Sequence, residues 1–203
     1  MSPRQPVITD PAVLAEVAGT AYVCLRPSGE VSEVFDRVQR RLRDVVGDDR
    51  ASWPAAHMTL KGFGTPARPV DHDTERELVS LVEGWAGETM PLELQIEGVD
   101  VFAEERIPIL LIRRTTQLTA AHKDMHIKVE AAGLPGQDHV ALRDWIFHLS
   151  LVYYDGDRWP EVEAAARALS IPRASCLVGE AELLGFDGGP ERLLDRCSLL
   201  GSA

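Results

Sequence analysis

A four-residue pattern that occurs twice, His57-Met58-Thr59-Leu60 and His148-Leu149-Ser150-Leu151, constrains this chain more than any other feature. Each copy lies in an apolar run, residues 53–63 and 144–154, with the length and composition of a buried strand. Successive side chains of a strand point to opposite faces, so His57 shares a face with Thr59 and Lys61, and His148 with Ser150 and Val152. Met58, Leu60, Leu149, Leu151 and Tyr153 point the other way, into a core. A fold that accommodates both runs must bury each on one side and present a histidine and a hydroxyl on the other.

The segments around the tetrads recur in the same order. A proline-punctuated lead passes through a short helix at 11–17 to a strand at 20–26. An amphipathic helix follows, with Val31, Val34, Phe35, Val38, Leu42, Val45 and Val46 at helical spacing, Ser32 as its expected cap and Gly47 as its stop. Arg37, Arg40, Arg41 and Arg43 form its solvated face. After the first histidine strand come a helix at 73–85 and a strand at 91–102. Residues 107–112 are a continuous apolar run, as in a central strand, with Pro108 near its start. A third helix at 116–132, the second histidine strand, a fourth helix at 160–169 and strands at 175–186 and 192–200 complete the pattern. The order is that of a duplicated half, about 19–102 and 106–200, with a pseudo-twofold axis between the copies. The expected fold is α+β: one domain over 1–203 made of two pseudo-symmetric lobes. Each lobe is an antiparallel sheet with flanking helices, and the two face each other across a central cleft.

Composition narrows the ligand. Of 203 residues 45% are hydrophobic and 26% charged, which is ordinary for a globular chain. The formal charge of −11 sets up a field that repels polyanions, so long duplex nucleic acid is an unsuitable partner, while a small nucleotide or an RNA terminus in a local pocket is compatible. Cys24, Cys176 and Cys197 have neither disulfide nor zinc spacing. No leader-like segment or membrane span is read in the sequence, and the expected location is cytoplasmic. The oligomeric state is left open.

Two imidazoles that pass protons and two hydroxyls that hold an anion suit phosphodiester chemistry without a metal or other cofactor. Lys61, if the strand stays regular, adds positive charge beside the phosphate. Phe63 and Tyr154, at the far ends of the same runs, are candidates for stacking on a base, with core packing as the competing reading. His122 and His126 stand at i and i+4, but no His-Glu-x-x-His pattern accompanies them, so they are expected on a solvated helix face rather than on a metal. His72 and His139 carry no argument, and neither a phosphate loop nor a nucleophile elbow is present.

The paired tetrads, their spacing and the element order around them resemble the two-histidine phosphoesterase superfamily, which includes 2′-5′ RNA ligase-like proteins and 2′,3′-cyclic nucleotide phosphodiesterases. The resemblance runs over nearly the whole chain, and Ser150 in place of threonine keeps the hydroxyl. It implies a two-lobed fold with a deep cleft, and His57, Thr59, His148 and Ser150 as the active site. It further implies His57 as the acid and His148 as the base in hydrolysis of a 2′,3′-cyclic phosphate on a nucleotide or RNA end. Two alternatives remain at this point: 2′-5′ RNA ligation in the same cleft, and a non-catalytic module that binds a phosphorylated ligand.

Overall fold

The computed structural model describes residues 5–47, 50–65, 67–137 and 141–200; His139 lies outside them. Helix α1 (Pro11–Glu16) starts at Asp10, whose carboxylate accepts from the Ala12 amide, with proline in its first turn. Strand β1 (Thr20–Leu25) leads to α2 (Gly29–Val46), which buries Val31, Val34, Phe35, Val38 and Leu42 and keeps Arg37, Arg40, Arg41 and Arg43 outside. The helix begins before the expected cap: Ser28, not Ser32, holds the N-cap position. Gly47 ends it at a φ of 69°, a conformation that suits glycine. Short β2 (Ala51–Ser52), β3 (Met58–Phe63), α3 (His72–Glu88) and the long β4 (Leu92–Phe102) follow. The second half comprises β5 (Ile107–Ile112), α4 (Thr116–Ala131), β6 (His148–Ser150), β7 (Tyr153–Tyr154), α5 (Trp159–Arg167), β8 (Ser175–Val178), β9 (Glu180–Phe186) and β10 (Arg192–Ser198).

The strands form two four-stranded antiparallel sheets, ordered β10-β9-β1-β3 and β6-β5-β4-β8. Both histidine strands are therefore edges, and β3 and β6 touch each other. The pair β2 and β7 joins the segment before one histidine strand to the segment after the other, with Ala51 opposite Tyr154 and Ser52 opposite Tyr153. Neither sheet is a contiguous half of the chain. The first half supplies β1 and β3 to one sheet but sends β4 to the other; the second supplies β5, β6 and β8 to that other sheet and sends β9 and β10 back.

One apolar core lies behind both sheets. Val23 and Leu60 from the first, Leu94, Leu110 and Leu149 from the second, and Phe35, Trp85 and Met125 from the helices belong to it. Trp85 is fully buried, and its indole N–H donates to the Ala121 carbonyl at 3.2 Å, so the polar atom is satisfied where the ring is packed. With helices against one face, each sheet has its other face left for a ligand.

Three expected strands are shorter or divided. The ladder of the first histidine run begins at Met58, so His57 stands just outside it, and Pro54 upstream has no amide to pair. The second run breaks at Leu151 and Val152, where the Leu151 amide donates to the Pro108 carbonyl at 2.9 Å. The run 175–186 is two strands in different sheets, β8 beside β4 and β9 beside β1, and it crosses at Gly179.

Candidate active site

His57 and His148 are held in the same way. The Nδ1 atom of each lies 2.8 Å from the backbone carbonyl two residues earlier, Ala55 and Ile146 respectively. A carbonyl only accepts, so each Nδ1 carries a hydrogen and donates it; Nε2 is left as the nitrogen through which each ring exchanges protons. His57 is 7% exposed and His148 half-buried. Burial lowers His57 to about 4, an effect that the hydrogen bond to Ala55 opposes and the charges of Arg26 and His148 reinforce. Burial also lowers His148, again opposed by its backbone hydrogen bond. Each ring thus sits in a desolvated position and within electrostatic reach of the other.

The two hydroxyls come with them. Thr59 lies opposite Cys24 of β1, with 4.0 Å between the sulfur and the hydroxyl oxygen. Ser150, 7% exposed, lies near enough to Tyr153 to oppose the rise in its pKa that burial causes. A cleft of about 940 Å³ is lined by His57, Thr59, Tyr22, Tyr153 and Arg106 among others, so Tyr153 connects the second tetrad to the wall that bears the first.

Lys61 does not line this cleft. The β1–β3 pairing is regular through Met58 and Thr59, then shifts between Val23 and Cys24, so that Lys61 stands opposite Val23. Val23 faces the core, and residues directly opposite on paired strands share a face. The irregularity is a β-bulge, and an extra residue reverses the alternation beyond it. Lys61 is accordingly 2% exposed, with its ammonium 3.3 Å from Nδ1 of His126 on α4. The same shift puts Phe63 in the core, fully buried, which removes it as a stacking surface. Tyr154 borders the cleft but is 3% exposed, packed with Val46 and Val162, its hydroxyl accepting from the Arg158 amide. A base does not fit over a ring so enclosed.

Other aromatics lie beside the histidines or in the cleft wall. Phe102 makes a T-shaped contact with His148, 4.9 Å between centroids, and Tyr22 and Tyr153 line the cleft. Tyr153 was expected to point into the core; the break at Leu151 and Val152 turns it outward. Arg106, in the β4–β5 turn, takes a φ of 56°, a conformation that non-glycine residues seldom adopt. Its guanidinium borders the cleft and donates to the Gly156 carbonyl at 3.2 Å. The sequence places a turn between these strands at Ala103 to Arg106, but no glycine or asparagine there signals the positive φ.

His122 differs from its expected solvated position. It is 3% exposed, its Nδ1 donates to the Leu60 carbonyl at 2.7 Å, and its ring stacks on Trp145 at 4.7 Å. It braces β3 from behind. His126 lies between Lys61 and Glu130, 3.5 Å from the latter. Among the described residues no group of three or more His, Cys, Asp or Glu is placed to hold a metal ion. No helix among them is long and apolar enough to cross a membrane.

A sequence-family model described as the 2′-5′ RNA ligase superfamily matches residues 27–190. No curated protein matches this chain in sequence. Solved structures do match in fold. The Thermus thermophilus protein TT0787 is 18% identical, with a TM-score of 0.60, and the match covers 91% of this chain and 100% of that one. E. coli LigT complexed with 3′-AMP is 18% identical with a TM-score of 0.58, over 88% of this chain and 97% of that one. Kluyveromyces marxianus Usb1 is 12% identical with a TM-score of 0.52, over 90% and 99%.

Proposed function

This chain belongs to the 2′-5′ RNA ligase superfamily of two-histidine phosphoesterases, and from that premise we propose that it hydrolyses a 2′,3′-cyclic phosphate on a nucleotide or RNA end by acid–base catalysis between His57 and His148. The observation that carries this reading is the matched pair of imidazoles, each with Nδ1 fixed by a carbonyl and Nε2 left for proton transfer. Structures of E. coli LigT complexed with 3′-AMP, ATP and NADP+ support a nucleotide as the ligand class.

In the proposed reaction His148, neutral because burial lowers it, takes a proton from water as the water oxygen bonds to phosphorus. One ribose oxygen leaves phosphorus, and His57 gives it a proton, so the ring opens to a phosphomonoester. Burial disfavours the protonated form of His57, and the negative charge of a bound phosphate offsets that cost. Thr59 and Ser150 donate to the phosphoryl oxygens as charge develops there. The assignment of acid and base follows the family resemblance.

The test is direct: EDTA-treated protein is given the four nucleoside 2′,3′-cyclic phosphates and a short RNA ending in one, and the position of the product phosphate is determined. Turnover to a phosphomonoester is the expected result. Tight binding of the nucleotides with no turnover would assign the cleft to recognition alone, and joining of RNA ends without hydrolysis would assign it to ligation.

A further inference from the structure

The ligand-facing side of the first sheet is partly occupied by the chain itself. Tyr22, Cys24, Leu184 and Phe186 alternate outward from β1 and β9, and onto them pack Val7, Ile8 and Leu14, which are 2%, 8% and 8% exposed. Residues 5–10 thus form a strap across the sheet, and the strap is anchored at both edges. The amides of Val7 and Ile8 donate to Oε2 of Glu191 at 2.7 and 3.3 Å, and the Glu191 side chain is fully buried. On the other side the Ala55 amide donates to the Val7 carbonyl at 3.3 Å. Ala55 is also the residue whose carbonyl holds His57.

The strap divides the concave surface in two. Val7, Ile8 and Asp10 border the 940 Å³ cleft that contains His57 and Thr59. Gln5, Pro6 and Thr9 border a second hollow of about 1060 Å³, lined by Arg43, Trp53, and Arg26 and Arg196, the last two each 2.9 Å from Glu182. A chain bound at His57 would have to pass through the strap to reach those arginines. The histidine side offers a polyanion little in their place. Five carboxylates line it, those of Asp10, Glu16, Glu104, Glu105 and Asp155. Against them stand two arginines, and one, Arg50, is 3.3 Å from Asp157.

We infer that the strap restricts this site to a mononucleotide-sized cyclic phosphate and excludes a polynucleotide chain; the inference rests on the phosphodiesterase reading above and selects between its two substrate classes. Size agrees, since pockets for small ligands run from about 300 to 1,000 Å³. Charge agrees as well: a nucleoside 2′,3′-cyclic phosphate brings one negative charge, whereas each further nucleotide adds another opposite the carboxylate wall. The strap lies outside residues 27–190, the stretch matched by the family model.

The experiment compares kcat/KM of the full-length protein on adenosine 2′,3′-cyclic phosphate and on a six-nucleotide RNA ending in the same cyclic phosphate. A preference for the mononucleotide of about 100-fold or more is expected, the equivalent of two tenfold steps in binding free energy. Deletion of residues 1–10 should narrow that ratio by about tenfold, through a gain on the RNA. Glu191→Gln, which keeps the chain whole and weakens the anchor, should narrow it in the same direction and decides the matter if the deletion does not fold. Equal kcat/KM values in the parent protein, or an unchanged ratio in a folded variant, would overturn the strap's role and leave the phosphodiesterase reading intact. Failure to turn over either substrate would refute that reading instead. Calorimetry with adenosine 2′-monophosphate and an RNA ending in a 2′-phosphate would then measure the strap separately, equal affinities counting against it.

Discussion

The imidazole of His148 and the ring of Phe102 form a T-shaped contact, 4.9 Å between centroids and 88° between planes. That contact comes from the last residue of β4 onto the first of β6, two strands separated by β5. It limits rotation of the imidazole about its second torsion and covers one side of it, while the hydrogen bond to Ile146 fixes the other.

Phe102→Ala is therefore expected to lower kcat by about tenfold, since loss of orientation in a positioned catalytic group carries penalties of that order or more. KM should change less. Exposure of the ring should also raise the His148 titration midpoint toward the ordinary imidazole value, because burial is the cause of its depression. Steady-state kinetics and a histidine-resolved NMR titration read the two effects. A variant with parental kcat and an unmoved midpoint would remove Phe102 from the positioning of His148.

His57→Ala and His148→Ala should each reduce turnover by about 10²- to 10⁴-fold with the fold retained, the usual worth of positioned acid–base groups. Circular dichroism and turnover of a nucleoside 2′,3′-cyclic phosphate check this together. Activity within a fewfold of the parent in either folded variant would contradict the proposed mechanism.

The pH dependence should be displaced to the acid side. Burial lowers His57 to about 4 and His148 below its ordinary value, so the bell for kcat/KM, which reports the free protein, is centred below pH 6.5. The same shifts bear on stability. Between pH 6.5 and about 4 the unfolded chain holds a proton at position 57 that the folded one does not, so stability rises with pH across that window and falls as the solution is acidified through it. His57→Asn should flatten that slope in denaturation measured at several pH values.

Lys61→Met is expected to leave phosphate affinity unchanged, within about twofold, and to lower stability by about 1–3 kcal/mol, because the lysine is buried behind the sheet with its ammonium beside His126. Calorimetry with a nucleoside 2′-monophosphate and urea denaturation separate these outcomes. Weakened, less salt-sensitive binding with unchanged stability would return Lys61 to the cleft.

What the sequence made legible followed from periodicity. The tetrads, the helix at 29–46 and the two antiparallel sheets rest on apolar residues recurring every second or every third and fourth position, a signal that local packing enforces. The faces were legible only up to the first irregularity. Thr59 falls where alternation puts it, but the bulge opposite Val23 and Cys24 moves Lys61 and Phe63 to the core, and no residue type in Leu60-Lys61-Gly62 demands that bulge. Tyr153 was misread for a related reason, since Leu151 and Val152 continue the apolar run while the ladder stops. The strap was invisible because two apolar residues, Val7 and Ile8, make no period, and what anchors their amides is a carboxylate 184 residues away from Val7 along the chain. The run 175–186 shows the same limit on a larger scale: its hydrophobicity is continuous, and only pairing reveals that it belongs to both sheets.

That exchange of β4 for β9 and β10 between the sheets has a consequence for assembly of the molecule. A sheet without its donated strand is left with a raw edge in its middle, so neither half of the chain can complete itself, and productive collapse must bring together residues far apart in sequence. Such non-local order slows folding and couples it to a single cooperative step. It also suggests a use: fragments divided in the exposed turn at Glu104 and Glu105 should be inert apart and regain structure only by complementation, one giving β4 and the other β9 and β10. Reunion of the fragments would then assemble both histidines at once, so that recovered turnover reports the interlock directly.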